Sequence, residues 1–99
     1  MAADIVWIDH ARDDLLAILD YIGKDNAAAA GSYVAGIEAA CVKLAEFLKS
    51  GRAYNSRYRV VVFRNHLIFY TFEQNPDVVR IAMVIDGRRD LEHIVNSME

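Results

Sequence analysis

Residues 57–86 read RYRVVVFRNHLIFYTFEQNPDVVRIAMVID. The hydrophobic pattern here has a period of two, the spacing at which side chains share one face of a strand. Tyr58, Val60 and Val62 alternate with Arg59, Val61 and Phe63. Arg64, Asn65 and His66 form a polar break that reads as a turn. Leu67 to Glu73 is a second strand, with Ile68, Tyr70 and Phe72 on one face. Gln74-Asn75-Pro76-Asp77 has the composition of a turn. Val78 to Ile85 is a third strand, with Val79, Ile81, Met83 and Ile85 assigned to one face, and Asp86-Gly87 breaks it. Such short connections predict an antiparallel meander.

Upstream the period changes to that of a helix. Ala11, Leu15, Ile18, Leu19 and Ile22 recur at steps of three and four, which makes one apolar stripe over about residues 10–23. Asp9 is the expected N-cap, Asp13 and Asp14 the expected first-turn acids, and Gly23 the expected left-handed stop. A second helix is predicted from Asp25 or Asn26 to about residue 49. It opens on Ala27 to Ala30, continues through Tyr33, Val34, Ile37, Ala40, Cys41, Leu44, Phe47 and Leu48, and stops near Gly51. Gly31 and Gly36 weaken this helix but permit close approach by another part of the chain. The connection Lys24-Asp25 is short, so the helices form an antiparallel hairpin. Ile5 to Ile8 is a first strand. Asp90 caps a short tail helix that runs to about Asn96.

The order is thus β–α–α–β–β–β with a short C-terminal helix. It predicts an α+β domain, a helical hairpin packed on one face of a mainly antiparallel sheet. A single helical layer covers one sheet face. The other is expected to stand open, displaying Arg59, Arg80 and aromatic side chains to a partner.

Ninety-nine residues make one domain, 1–99. An apolar content of 55 % with 25 % charged residues excludes intrinsic disorder. The lone cysteine, Cys41, excludes a disulfide framework and fits a reducing compartment. No apolar run reaches the ~18–20 residues of a bilayer span. Met1-Ala2-Ala3-Asp4 lacks the basic opening of a secretion signal. A cytoplasmic location with no membrane partner is expected.

Charge divides the chain. The net value is −3, which excludes a general polyanion binder, and direct nucleic-acid binding is not expected. Residues 1–50 hold four basic and eight acidic side chains, whereas residues 51–99 hold seven basic and six acidic ones. All seven are arginine: Arg52, Arg57, Arg59, Arg64, Arg80, Arg88 and Arg89. No acid interrupts the stretch from Arg52 to Phe72.

On these residues the chain resembles the ParE/RelE superfamily of small bacterial toxins of type II toxin–antitoxin pairs. The resemblance is carried by Ala11, Asp14, Leu15, Ile18, Tyr21 and Ile22 on the first helix and by the alanine-rich opening of the second. It continues through Leu44, Gly51-Arg52 and Leu67-Ile68-Phe69-Tyr70. It is most specific over Ile85-Asp86-Gly87-Arg88-Arg89-Asp90-Leu91. It implies one of two activities: ParE-type members bind and poison DNA gyrase, and RelE-type members cut mRNA on the ribosome.

Metal-free RNA cleavage needs a base, an acid and cations around the phosphorane. The RelE type supplies these from strand lysines and arginines and a Tyr or His near the C-terminus. This chain has no lysine after Lys49 and no tyrosine after Tyr70. It carries Met83 and Asp86 where that type often has arginine and histidine. The ParE type is therefore expected: a gyrase inhibitor that acts by binding more than as an enzyme, neutralised by a cognate antitoxin in a hetero-oligomer. The alternatives are an mRNA endonuclease and a non-toxic homologue that binds antitoxin.

No catalytic residue is assigned. Target contacts are expected at Arg59, Arg64, Arg80, Arg88 and Arg89, whose planar guanidinium forks suit carboxylates and phosphates. Antitoxin contacts are expected at Trp7, Arg52, Arg57 and Tyr58. Trp7 also reads as core. His10, His66 and His93 show no metal spacing and read as surface residues, so neither a metal nor another cofactor is expected. Cys41 reads as a buried small hydrophobe, and Ser56 has no evident acid–base partner.

Overall fold

A computed structural model describes residues 2–97. The elements are β1 (Asp4–Trp7), α1 (Asp9–Gly23), α2 (Ala27–Glu46), β2 (Arg52–Ala53), β3 (Arg59–Phe63), β4 (His66–Glu73), β5 (Val78–Asp86) and α3 (Leu91–Ser97). The strands form one mixed sheet in the order β1-β5-β4-β3-β2. β3, β4 and β5 are the antiparallel meander expected from their period. β1 adds to the far side of β5 in parallel, and the two-residue β2 closes the opposite edge.

Local chemistry explains the helices, with corrections. Asn26 is the N-cap of α2, and its side chain accepts from the Ala29 N–H at 3.0 Å. Asp90 accepts from the His93 N–H at 3.3 Å and so caps α3. Asp9 does not cap α1. The cap is Ile8, without a side-chain bond, and Asp9 is the first helical residue. Asp13 and Asp14 follow beyond the first turn. Gly23 is not a left-handed stop: no described glycine has positive φ, and α1 gives way to Lys24 in ordinary helical geometry. The helix ends because Asn26 begins the next one. α2 stops at Glu46, short of the expected residue 49. His66 belongs to β4, opposite Phe63 across the two-residue turn Arg64-Asn65, and Arg64 takes φ 53°.

The sheet has two apolar faces, and both are packed. Against α1 and α2 lie Ile68, Tyr70, Val79, Ile81 and Val84, with Ile37, Cys41 and Leu44 from α2. Each large side chain fully buried there contributes about 1.5–3 kcal/mol. The opposite face, expected to stand open, carries a second core of Tyr58, Val60, Phe69, Met83 and Ile85 under Val95 of α3. Tyr54 adds an edge-on contact to Phe69, with ring centroids 5.0 Å apart. Only the margins of this face are open, at Val62 (57 % exposed) and Val6 (43 %).

The shared face assigned to Val79, Ile81, Met83 and Ile85 is also corrected. Phe69 pairs with Met83 while Tyr70 pairs with Ile81, so Ala82 is an extra residue in β5. A bulge of this kind switches the side-chain alternation. Val79 and Ile81 face the helical hairpin, and Met83 and Ile85 face α3.

The hairpin is tied to the sheet through residues 47–51. Tyr70 is fully buried, and its hydroxyl accepts from the Gly51 N–H at 3.0 Å and donates to the Leu48 carbonyl at 2.9 Å. Gly51 fits nothing larger, since a Cβ there would lie 2.6 Å from the Val60 carbonyl oxygen and 2.8 Å from the Tyr70 hydroxyl. Gly36 likewise admits the Phe63 ring, whereas a Cβ on Gly31 meets nothing within 4 Å.

These contacts set opposite signs for three substitutions. Gly51→Ala is expected to cost about 1–3 kcal/mol by overpacking. Tyr70→Phe costs about 1–3 kcal/mol by stripping two buried backbone groups of a partner. Gly31→Ala gains about 0.5–1 kcal/mol of helix propensity. Urea unfolding midpoints read all three.

Candidate functional site

A cavity of about 470 Å³ opens between α1 and the end of the sheet where β4 begins and β5 finishes. Ala17, Ile18 and Ile22 of α1 form one wall with Val84 of β5. Helical spacing places the α1 residues side by side. Tyr33 of α2 and His66 of β4 stand opposite, and Asp86, Arg88 and Arg89 form the rim after β5.

Four polar contacts organise this space. The Tyr33 hydroxyl and His66 Nδ1 share a hydrogen bond of 2.6 Å. Burial disfavours the imidazolium and holds His66 below its ordinary value of 6.5, and Arg88 adds to this while Asp86 opposes it. In the neutral ring the phenol donates when the imidazole proton is on Nε2, and Nδ1 donates when it is there. Asp86 accepts from the Arg88 side chain, through Nε at 3.0 Å and Nη2 at 2.7 Å, and from the Arg88 backbone N–H at 2.9 Å. Those bonds hold the Asp86 carboxyl well below the usual carboxylate range and raise the Arg88 guanidinium.

Asp14 makes the other two contacts. Past Ile81, β5 no longer has β1 as a neighbour, and the Val84 N–H donates to Asp14 Oδ2 at 2.9 Å. His10 Nδ1 lies 3.2 Å from the same oxygen. Burial pushes the Asp14 carboxyl above its ordinary value; the Val84 N–H, then His10, oppose the shift.

The expected target residues separate into three situations. Arg88 and Arg89 rim the cavity. Arg64 stands beside it, its guanidinium 6.0 Å from the centre of the Tyr33 ring and 5.7 Å from that of Phe63. Arg80 sits far along β5 and pairs with Glu73. Arg59 is a correction: it is not displayed, because its strand position faces the helical hairpin. Its Nη2 donates to the Lys49 carbonyl at 3.1 Å and to that of Gly51. This arginine secures the exit from α2.

The expected antitoxin residues do not form one surface. Arg52 and Arg57 are exposed near the β2 edge, Arg57 lying 5.4 Å over the Tyr58 ring. Tyr58 is 3 % exposed and belongs to the second core, a correction to its expected display. Trp7 lies on β1, the opposite sheet edge, half-buried against the hairpin-side core.

Cys41 is buried, and burial pushes its thiol up to about 12. Among the described residues no group of His, Cys, Asp or Glu could hold a metal ion, and no helix is long and apolar enough to cross a membrane. Sequence reading missed the Tyr33–His66 and Asp14–Val84 contacts. Nothing local marks them, since their partners lie 33 and 70 residues apart.

Burial first, then the opposed charges of Asp86 and Arg88, sets the titration of His66. A lowered value in the folded chain means that unfolding takes up a proton. Its stabilising contribution is therefore complete above about pH 6.5 and is lost as pH falls toward the folded value. Imidazole NMR titration should place the His66 midpoint below 6.5. Asp86→Asn lowers it further, and Arg88→Ala raises it.

Comparison with known proteins bears on the whole chain. Residues 5–91 match the family model of the ParE toxin of type II toxin–antitoxin systems, parDE. No curated protein sequence matches. Nine chains among solved structures do. One of them, from a chromosomal ParDE toxin–antitoxin system of P. aeruginosa, superimposes with a TM-score of 0.72 at 18 % identity, over 86 % of this chain and 96 % of that one. At that identity the likeness is one of fold: the helical hairpin against a five-stranded sheet. With the family model spanning nearly every element described above, the chain belongs to the ParE toxin family of type II toxin–antitoxin systems.

Proposed function

We propose that the chain inhibits DNA gyrase by binding it, and that a cognate antitoxin holds it inactive in a hetero-oligomer in the cytoplasm. The observation that carries this reading is the placement of Arg88 and Arg89. They lie on the Ile85 to Leu91 segment, where the family resemblance is most specific, and stand exposed at the mouth of a cavity beside Arg64. Guanidinium groups so placed can grip carboxylates on a protein target. The buried Cys41, whose thiol is held up at about 12, offers no nucleophile to that space. Arg80 remains a further contact at the margin of the sheet.

The antitoxin reading rests on the two sheet edges. A segment that folds on binding can add a strand beside the short β2, next to Arg52 and Arg57, and reach Trp7 only by crossing the molecule.

Purified chain added to gyrase is expected to block supercoiling at micromolar concentration. The double variant Arg88→Ala, Arg89→Ala should weaken the effect at least ~tenfold, since hydrogen bonds to charged groups contribute about 1.5–3 kcal/mol each. Undiminished supercoiling would sink the proposal. Growth arrest on induced expression, relieved by the antitoxin, is the cellular counterpart, and normal growth would instead mark a non-toxic homologue.

One observation favours a second reading. Tyr33 and His66 form a hydrogen-bonded pair within the same cavity as Arg88 and Arg89, the raw material for proton transfer beside a phosphate. Primer extension on ribosome-programmed mRNA tests it: cuts that disappear in His66→Ala would establish an endonuclease.

A further inference from the structure

We propose that the outer end of the β2–β3 hairpin is a contact site for the phosphate backbone of duplex DNA. The inference goes beyond the gyrase reading and stands without it; a duplex held by gyrase is one backbone it would meet.

The stretch from Phe47 to Phe72 contains Lys49, Arg52, Arg57, Arg59 and Arg64 and no acid. The fold gathers the first four of these. Arg52 pairs with Val60 and Ala53 with Arg59 across the two strands, and the Tyr54 N–H donates to the Tyr58 carbonyl at 2.9 Å. Cross-strand partners share a face, so Arg52 lies on the α3 side of the sheet with Val60. Arg57 lies over the ring of Tyr58, which belongs to the same core. Arg59 brings Lys49 alongside by donating to the Lys49 and Gly51 carbonyls.

Three features make this end attractive to a polyanion. Lys49, Arg52 and Arg57 are exposed, and none of them joins an ion pair among the described residues. Arg59 is a fourth cation beside them, half-buried, with carbonyls as its described partners and a buried Nε that has none. A cation held by carbonyl dipoles keeps its net charge and adds to the field outside. The tip is also set in advance, because Asn55 Oδ1 accepts from the Arg57 N–H at 2.9 Å and the Tyr58 N–H at 2.7 Å. Glu46 and Glu73 are the acids that bracket the stretch in sequence, and Glu73 is engaged by Arg80. The net charge of −3 excludes a general polyanion binder, but the local sign here is positive.

The surroundings select the phosphate backbone of a duplex. From residue 49 to residue 57 no large apolar side chain is exposed, whereas a protein partner is anchored on such groups. A single strand seeks open aromatic faces for its bases. Here Arg57 covers the Tyr58 ring, and Tyr54 packs edge-on against Phe69. Guanidinium and ammonium groups with the exposed Ser56 hydroxyl are what phosphate oxygens accept from.

The test is fluorescence anisotropy of a labelled duplex of about 16 base pairs, titrated with the full chain at low salt. Saturable binding is expected, with a log–log salt slope between about −2 and −3 for two to three phosphates. The double variant Arg52→Glu, Arg57→Glu should weaken it at least ~tenfold, while Arg52→Lys, Arg57→Lys stays within about threefold. Lys24→Glu, at the far end of the helical hairpin, serves as the charge control and should also stay within about threefold. Heptaglutamate and the matching single strand are the competitors. Four results would overturn the site: no binding at millimolar chain, a salt slope near zero, equal losses in Lys24→Glu and the Arg→Glu pair, or tighter binding by either competitor. The titration contains no gyrase. A chain that blocks supercoiling but ignores the duplex overturns this inference alone, and one that binds the duplex through Arg52 and Arg57 supports it whether or not gyrase is blocked.

Discussion

The Tyr70 hydroxyl holds the two halves of this molecule together. It sits in the middle of the central strand with no solvent exposure, and it reaches into the segment that leaves α2. There it satisfies one backbone donor and one backbone acceptor that no helix or ladder provides for. A buried backbone group without a partner costs about 1–3 kcal/mol, so the hydroxyl fixes the path of residues 48–51. Arg59 does the same from the adjacent strand, giving its guanidinium to two carbonyls of that segment. With this exit fixed, the helical hairpin can lie only one way across the sheet. α1 is thereby set against β5, and the cavity is what the two leave between them.

The cavity owes its character to the end of β5. Beyond Ile81 the strand has lost its parallel neighbour, and Asp14 takes over by accepting from the Val84 N–H. That bond engages one carboxylate; Arg88 engages the other, Asp86. Arg88 and Arg89 there offset Asp86 and Asp14, although the whole chain carries −3. The distribution of charge, and not its sum, decides which partner this end of the molecule attracts.

Some of the fold is legible in the residues, and its failures are instructive. The three meander strands follow from alternation and turn composition, Asp90 caps the helix it precedes, and of the two starts offered for α2, Asp25 and Asn26, the structure selects Asn26. The face assignment of β5 fails past Ile81 because Val78 to Ile85 is apolar at seven of eight positions. Such a run has no polar partner set to report which way each side chain points, and one inserted residue reverses it. The display of Arg59 fails for a different reason. A long stem lets a charged head sit beside backbone carbonyls while its strand position faces a core. Of the site, the Asp86 to Arg89 rim is visible because it is contiguous. Tyr33, His66 and Asp14 are not, since three distant segments meet there.

The residues alone determined the order of the longer elements, the α+β class, a second helix opening at Asp25 or Asn26, the Asp90 cap and the burial of Cys41, because each follows from local periodicity or from a side chain acting on its own neighbourhood. Tertiary structure decided the rest: the parallel edge strand, the second core beneath α3, the inward turn of Arg59 and Tyr58, and the cavity itself. These depend on one inserted residue in β5 and on contacts such as Asp14 to Val84, across 70 residues of chain. Such pairings form only when loop closure is repaid by burial on both faces of the sheet, and no local pattern encodes that balance.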